Sequence, residues 1–235
     1  WVLEQDGVGC AASFDENFKV VHTFVERSFE DVDGEIARIR GSKYVQSDLG
    51  LAFTKIRKLL EQDRLVCFMG TPCQASGLKL FLRKEYDNLI VVDVVCHGTP
   101  SPKLWDKYLE YQKSKYHSPI SDISFRNKTY GYHSGTMRIR FANGKEYYGS
   151  ARVDYMLKSF FKEISSRPSC YQCAFKQLNR CSDFTIYDCW HASQLVPGLK
   201  DEDKGWTDII VQSAKGKVLL EQIKQAYEIY PADTL

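Results

Sequence analysis

No apolar run in this chain approaches the roughly 18 residues that a membrane-spanning helix needs, so no helical span is predicted. No cleavable signal pattern opens the sequence, which places the chain in the cytoplasm by expectation. Charge of one sign is also missing: 32 Lys and Arg face 30 Asp and Glu, a formal net charge of +2, with the basic residues scattered. That balance gives no electrostatic case for a nucleic-acid partner. There is no repeat and no low-complexity linker. Apolar and charged fractions are those of a globular protein, and 235 residues are enough to bury a core.

Cysteine, by contrast, is plentiful. Eight cysteines in a reducing compartment point away from disulfides and toward metal, redox or catalytic use. Cys10 and Cys67 lie inside apolar strand-like runs and read as small buried hydrophobes.

The opening "WVLEQDG" has the form of a last helical turn ended by Gly7, so the chain is expected to begin inside an element, truncated at its N-terminus. "VGCAASFD" and "FKVVHTFVE" read as strands of a hairpin, followed by a short helix before Gly41 and an exposed loop. In "DLGLAFTKIRKLLEQD" the residues Leu49, Phe53, Ile56 and Leu60 share a helical face, with Asp48 as cap. Next come the strand "RLVCFMG", a helix from Pro72 to about Tyr86, the strand "NLIVVDVV" and a helix capped by Ser101 with Pro102 at its first position. This order predicts a parallel βαβ arrangement.

After Pro119 the runs shorten and alternate. The Asn-Gly in "FANGKEYY" signals a hairpin. A helix over "RVDYMLKSFFKEI", a cysteine-rich loop at 168–181, the strands "SDFTIYD" and "TDIIVQS" and the helix "KVLLEQIKQAYEI" complete the chain. The expected fold class is α/β (mixed α+β): a parallel βαβ core with an antiparallel hairpin insertion and a cysteine-rich loop. One domain over 1–235 is expected, with core 1–118 and 182–235 and insertion 119–181.

In open α/β sheets, sites form beyond the carboxyl ends of strands. Cys73, in "GTPCQASG", and Cys96, in "VVCHGTP", both fall there. Cys73 also lies in the first turn of its helix, where free N–H groups favour a thiolate. "RPSCYQCAF" adds Cys170 and Cys173 as C-x-x-C, two thiolates from one tight turn. Together these four match the number of thiolates a 4Fe–4S cubane requires.

A local alternative, Cys170, Cys173, Cys181 and Cys189 with His191 as a substitute ligand, describes a structural zinc site in a non-catalytic partner-binding module. Against it, a seven-residue strand between Cys181 and Cys189 holds its ends roughly 20 Å apart. A third reading makes Cys73 a nucleophile with His97 as base, but no orienting acid beside His97 is visible in the sequence.

Six ordered blocks, "GSKYVQSDLG", "GTPCQASGLK", "VVCHGTPSPKLW", "RPSCYQCAFK", "RCSDFTIYDCWH" and "DEDKGWTDIIVQSAKG", resemble the beta subunits of coenzyme F-420 hydrogenases and dehydrogenases. That wider family includes hydroxymethyl-chlorophyll reductase. The resemblance implies an iron–sulfur flavoprotein oxidoreductase that passes electrons between a 4Fe–4S cluster and FAD and on to a deazaflavin-type or other hydride acceptor. A redox partner protein or ferredoxin-like domain is implied as well.

In the family, the cysteines corresponding to Cys73, Cys96, Cys170 and Cys173 look like the cluster ligands. Ser42, Lys43, Tyr44 and Ser47 match a segment that lines the flavin site, where Lys43 would face an anionic flavin or phosphate and Tyr44 would stack on a ring. Thr71 and Gln74 are placed to donate to cluster sulfurs or flavin. Asp183, Asp188 and Trp190 fall in the block after C-x-x-C, with Asp183 equally suited to capping a turn. Cys181, Cys189 and His191 depart from the family pattern. The glycine-rich stretch and the ferredoxin-like cysteines that precede "WVLEQDG" in many relatives are missing here. Retention of either cofactor by this truncated form is therefore left open.

Overall fold

Short apolar runs punctuated by capped helices make the frame, and the computed structural model describes residues 1–200 and 202–232 of it. Asp201, the first residue of the sixth resembling block, and residues 233–235 lie outside the described residues. In chain order the elements are β1 (Val8–Phe14), β2 (Val20–Glu26), α1 (Val32–Arg40), α2 (Ala52–Glu61), β3 (Val66–Gly70), α3 (Pro72–Leu82), β4 (Leu89–Val94) and α4 (Pro102–Tyr116). There follow β5 (Ile120–Asn127), β6 (Thr136–Phe141), β7 (Glu146–Ser150), α5 (Tyr155–Phe161), α6 (Pro168–Tyr171), β8 (Phe184–Asp188), α7 (Ala192–Leu195), β9 (Thr207–Val211) and α8 (Ala214–Ile223). This is the mixed α/β class that the sequence predicts.

The chain forms two compact units, one from Trp1–Cys10, Phe53–Val95 and Phe175–Leu235, the other from Ala11–Ala52 and Cys96–Ala174. In the first, the strand order is β1-β3-β4-β8-β9. β3 runs parallel to β1 and to β4, β4 parallel to β8, and β9 closes the edge antiparallel to β8. Parallel strands buried on both faces need near-continuous apolar runs, and Val8, Val66, Phe68 and Val91 are fully buried. Ile56 and Leu60 of α2 and Ala75 and Leu78 of α3 add the helical side of the core. Cys10 and Cys67 are buried in these strands as expected, and burial pushes both thiols up to about 12.

In the second unit, β1 continues beside β2 and a three-stranded antiparallel sheet runs β5-β6-β7. Trp105, Tyr108, Leu109 and Gln112 repeat at helical spacing on the buried face of α4. Trp105, Tyr108 and Leu109 meet Phe125, Met137, Ile139 and Leu157 in one aromatic-rich core. The Asn-Gly hairpin is present: Gly144 N donates to Phe141 O at 3.0 Å and Gly144 is left-handed at φ 81°.

Several boundaries differ from the sequence reading, each for a local reason. Residues 2–6 form turns, not a helix end; Asp6 takes the left-handed conformation, and a Cβ on Gly7 would lie 2.7 Å from Val2 O. Asp48 does not cap α2: it pairs with Val21 as a bridge and its Oδ1 accepts from Gly50 N at 2.8 Å, so the helix starts at Ala52. Arg83, left-handed at φ 60°, ends α3 at Leu82, short of the predicted end near Tyr86. Asp154 caps α5 by accepting from Leu157 N at 2.8 Å, which leaves Arg152 and Val153 outside that helix. α8 stops at Ile223 and passes into a single 3₁₀ turn, Lys224–Ala226.

Candidate functional site

In the first unit, β3 delivers the chain to Thr71, Pro72 occupies the first helical position, and Cys73 follows in the opening turn of α3. Gln74 folds back so that its Oε1 accepts from Thr71 N at 3.0 Å and from Thr71 Oγ1 at 3.2 Å. The same hydroxyl lies 3.2 Å from Cys73 Sγ. Cys73 is half-buried. Thr71 is thus in contact with a candidate thiol, whereas the Gln74 oxygen is committed to the helix cap.

In the second unit, the loop after β4 and the loop before α6 are stitched together. Pro100 bridges Ser166, and Arg167 N donates to Thr99 O at 3.1 Å. Gly98 has φ 128°, and a Cβ there would lie 2.4 Å from Ser166 Oγ and 3.8 Å from Cys170 Cβ, so only glycine lets the loops approach. Thr99 Oγ1 reaches to 3.9 Å from Cys170 Sγ. Burial pushes the Cys170 thiol up, but the backbone and hydroxyl of Thr99 and the side chain of Arg167 outweigh it and hold the thiol below its ordinary value. Cys170 is half-buried, and Cys96 and Cys173 are exposed.

Thr99 and Arg167 escaped the sequence reading. Pro168 marks the turn in the sequence, but nothing local signals a partner 71 residues away.

The segment assigned to flavin is bound into its own unit. Lys43 Nζ donates to Gly41 O at 2.8 Å and Ile39 O at 3.3 Å, closing the carbonyl end of α1. Burial, with Arg38 nearby, pulls its ammonium down to about 8. Tyr44 stacks on Phe160 at 4.2 Å between centroids, with Phe125 and Phe161 against it edge-on. Ser47 is buried and Ser42 half-buried.

His97 sits 3.7 Å from Glu163 and against Phe160, so an acid does stand beside that histidine, although both side chains are largely exposed. In the first unit, Cys181 Sγ lies 3.2 Å from Ser76 Oγ. Cys189 is buried, and burial with Asp208 beside it pushes its thiol up. Asp183 is structural: buried, it accepts from Val91 N at 2.9 Å and Ser213 Oγ at 2.6 Å, joining β4 to the cap of α8. Asp188 ends β8, Trp190 is exposed and His191 precedes α7.

Among the described residues, no three His, Cys, Asp or Glu side chains are gathered to hold a metal ion. The local zinc set and the Cys96, Cys170 and Cys173 trio are alike in this. By donor chemistry the accessible thiols are of the kind that binds metal as thiolates, and Thr99 and Arg167 hold the Cys170 thiol below its ordinary value.

Parallel strands whose carboxyl ends lead to Cys73 and toward Cys96, with the C-x-x-C turn tied to the loop after β4, define a protein of the α/β class. The sequence model of the family described as the C terminus of the coenzyme F420 hydrogenase/dehydrogenase beta subunit matches residues 63–234. The match spans most of the chain, and the chain belongs to this family of oxidoreductase subunits. No curated protein matches it. Among the described residues no helix is long and apolar enough to cross a membrane.

Proposed function

We propose that this chain is an electron-transferring oxidoreductase module in which Cys73, Cys96, Cys170 and Cys173 hold a 4Fe–4S cluster. FAD is the second cofactor, a deazaflavin-type or other hydride acceptor the substrate, and a redox protein or ferredoxin-like domain the partner. When bound, the cluster exchanges single electrons and the flavin pairs them into hydride transfer.

The observation that carries the reading is the pairing of the two thiol loops. Thr99 and Arg167 tie the Cys96 loop to the C-x-x-C turn and favour the anionic form of Cys170, the form that ligates metal. Thr71 Oγ1 stands 3.2 Å from Cys73 Sγ. Inclusion of Cys73 rests on the family resemblance and on its place at a strand end. The flavin assignment rests on the resemblance, since Lys43 and Tyr44 are engaged by Gly41 and Phe160.

Anaerobic reconstitution with iron and sulfide tests this. The expected result is broad visible absorption with about four irons per chain. Colourless protein, or one zinc and no iron, overturns it.

A further inference from the structure

Asp93 and Arg180 have no part in the reading above, although Arg180 opens the block "RCSDFTIYDCWH". Asp93 is completely buried near the end of β4, level with Gly70 on β3 and Thr185 on β8. Its Oδ1 accepts from Arg180 Nη1 at 3.0 Å and from Thr185 Oγ1 at 2.7 Å. The same Nη1 donates to Val94 O at 3.0 Å, and Arg180 Nε donates to Gln177 O at 3.0 Å. Gln212 closes the circuit: its Oε1 accepts from Arg180 N at 3.2 Å, and its Nε2 donates to Leu178 O at 2.8 Å and Thr185 Oγ1 at 3.1 Å. Among the described residues Asp93 Oδ2 is buried with no hydrogen-bond partner, so the buried charge leans on Arg180.

The position of this circuit gives it a meaning. The chain leaves the first unit after Val95 and returns to it at Phe175. Arg180 holds the outgoing segment by Asp93 and Val94 and the returning segment by Gln177, all within that unit. Cys96 is the first residue past the exit, and Cys173 stands one residue before the last of the excursion. A buried ion pair is a weak source of stability, and an apolar pair of equal volume often does as well. What it adds is the guanidinium fork, whose fixed donors reach a carboxylate and carbonyls on two segments together.

Resting on the four-thiol reading, we infer that Asp93 and Arg180 form a positioning clamp. It fixes the two chain segments from which Cys96 and Cys173 project, so that the thiol loops start from a preset separation when they take up iron and sulfide.

The test uses the full chain. In metal-free protein, Arg180→Gln should speed amide hydrogen exchange at least tenfold in residues 94–97 and 175–181, with the amides of β1 and β3 unchanged. On anaerobic reconstitution its rate of iron uptake should fall at least fivefold, and Arg180→Lys should recover part of the loss. Leu60→Ala, in the core of α2, serves as a control of matched melting temperature and should take up iron at the wild-type rate. If Arg180→Gln does not fold, Gln212→Ala carries the same test, because it cuts the circuit without stranding a charge. Equal uptake and equal exchange in wild type and variant overturn the clamp alone. Slowed uptake in the Leu60→Ala control as well reduces the pair to a structural role. Wild-type protein that takes up no iron overturns the four-thiol reading and the clamp with it.

Discussion

Thr71 Oγ1 lies 3.2 Å from both Cys73 Sγ and Gln74 Oε1, and its one proton goes to the Gln74 oxygen at the entrance to α3. Thr71→Val removes the hydroxyl and keeps the shape. The loss of a helix-capping residue costs about 1 kcal/mol, which lowers the melting temperature by about 2–4 °C in a chain of this size. Thr71→Ser should restore most of it. A calorimetric scan of the two variants checks this, and an unchanged melting temperature in Thr71→Val contradicts it.

The thiols divide by burial. Cys10, Cys67 and Cys189 are buried, while Cys73, Cys96, Cys170, Cys173 and Cys181 are half-buried or exposed. Native metal-free protein should therefore show five fast-reacting thiols with an aromatic disulfide reagent, and eight after denaturation. Peptide mapping of the alkylated native protein should find the three buried cysteines unmodified. Early modification of Cys67 contradicts the strand assignment.

Tyr108 donates to Asp154 at 2.5 Å, and Gln112 Nε2 donates to the Tyr108 oxygen at 3.0 Å. Burial, then the Asp154 carboxylate, raises the tyrosine's pKa well above its ordinary value of 10.0. The folded protein thus keeps a proton that the unfolded chain releases. This stability is complete below about pH 10 and declines above it by about 1.4 kcal/mol per pH unit. Urea denaturation at pH 9, 10 and 11 should show a decline to which Cys10, Cys67 and Tyr147 also contribute, and Tyr108→Phe should lessen its slope above pH 10 by about 1.4 kcal/mol per pH unit while lowering stability at pH 8. Equal slopes in the two proteins contradict the assignment.

Much of the frame was legible because its signals are local. The apolar runs of β3 and β4 need no distant partner to be recognised, and Ser101 caps α4 as read, accepting from Leu104 N at 3.2 Å. Asn143-Gly144 marks its hairpin. Element ends were less legible: one left-handed residue, Arg83, decides where α3 stops. Long-range partners were not legible at all. Thr99 acts on Cys170 across 71 residues, and Arg180 acts on Asp93 across 87. Tyr44, an aromatic in a polar segment, reads as a free stacking surface until Phe160 is placed against it.

The central claim concerns four particular sulfur atoms among eight, and iron counting across single Cys→Ser variants tests it most directly. After anaerobic reconstitution, Cys73→Ser, Cys96→Ser, Cys170→Ser and Cys173→Ser should each retain less than half of the roughly four irons of a complete cubane. Cys181→Ser and Cys189→Ser should retain all of them. Full iron in the Cys96→Ser and Cys170→Ser proteins, or its loss in Cys181→Ser, would contradict the account.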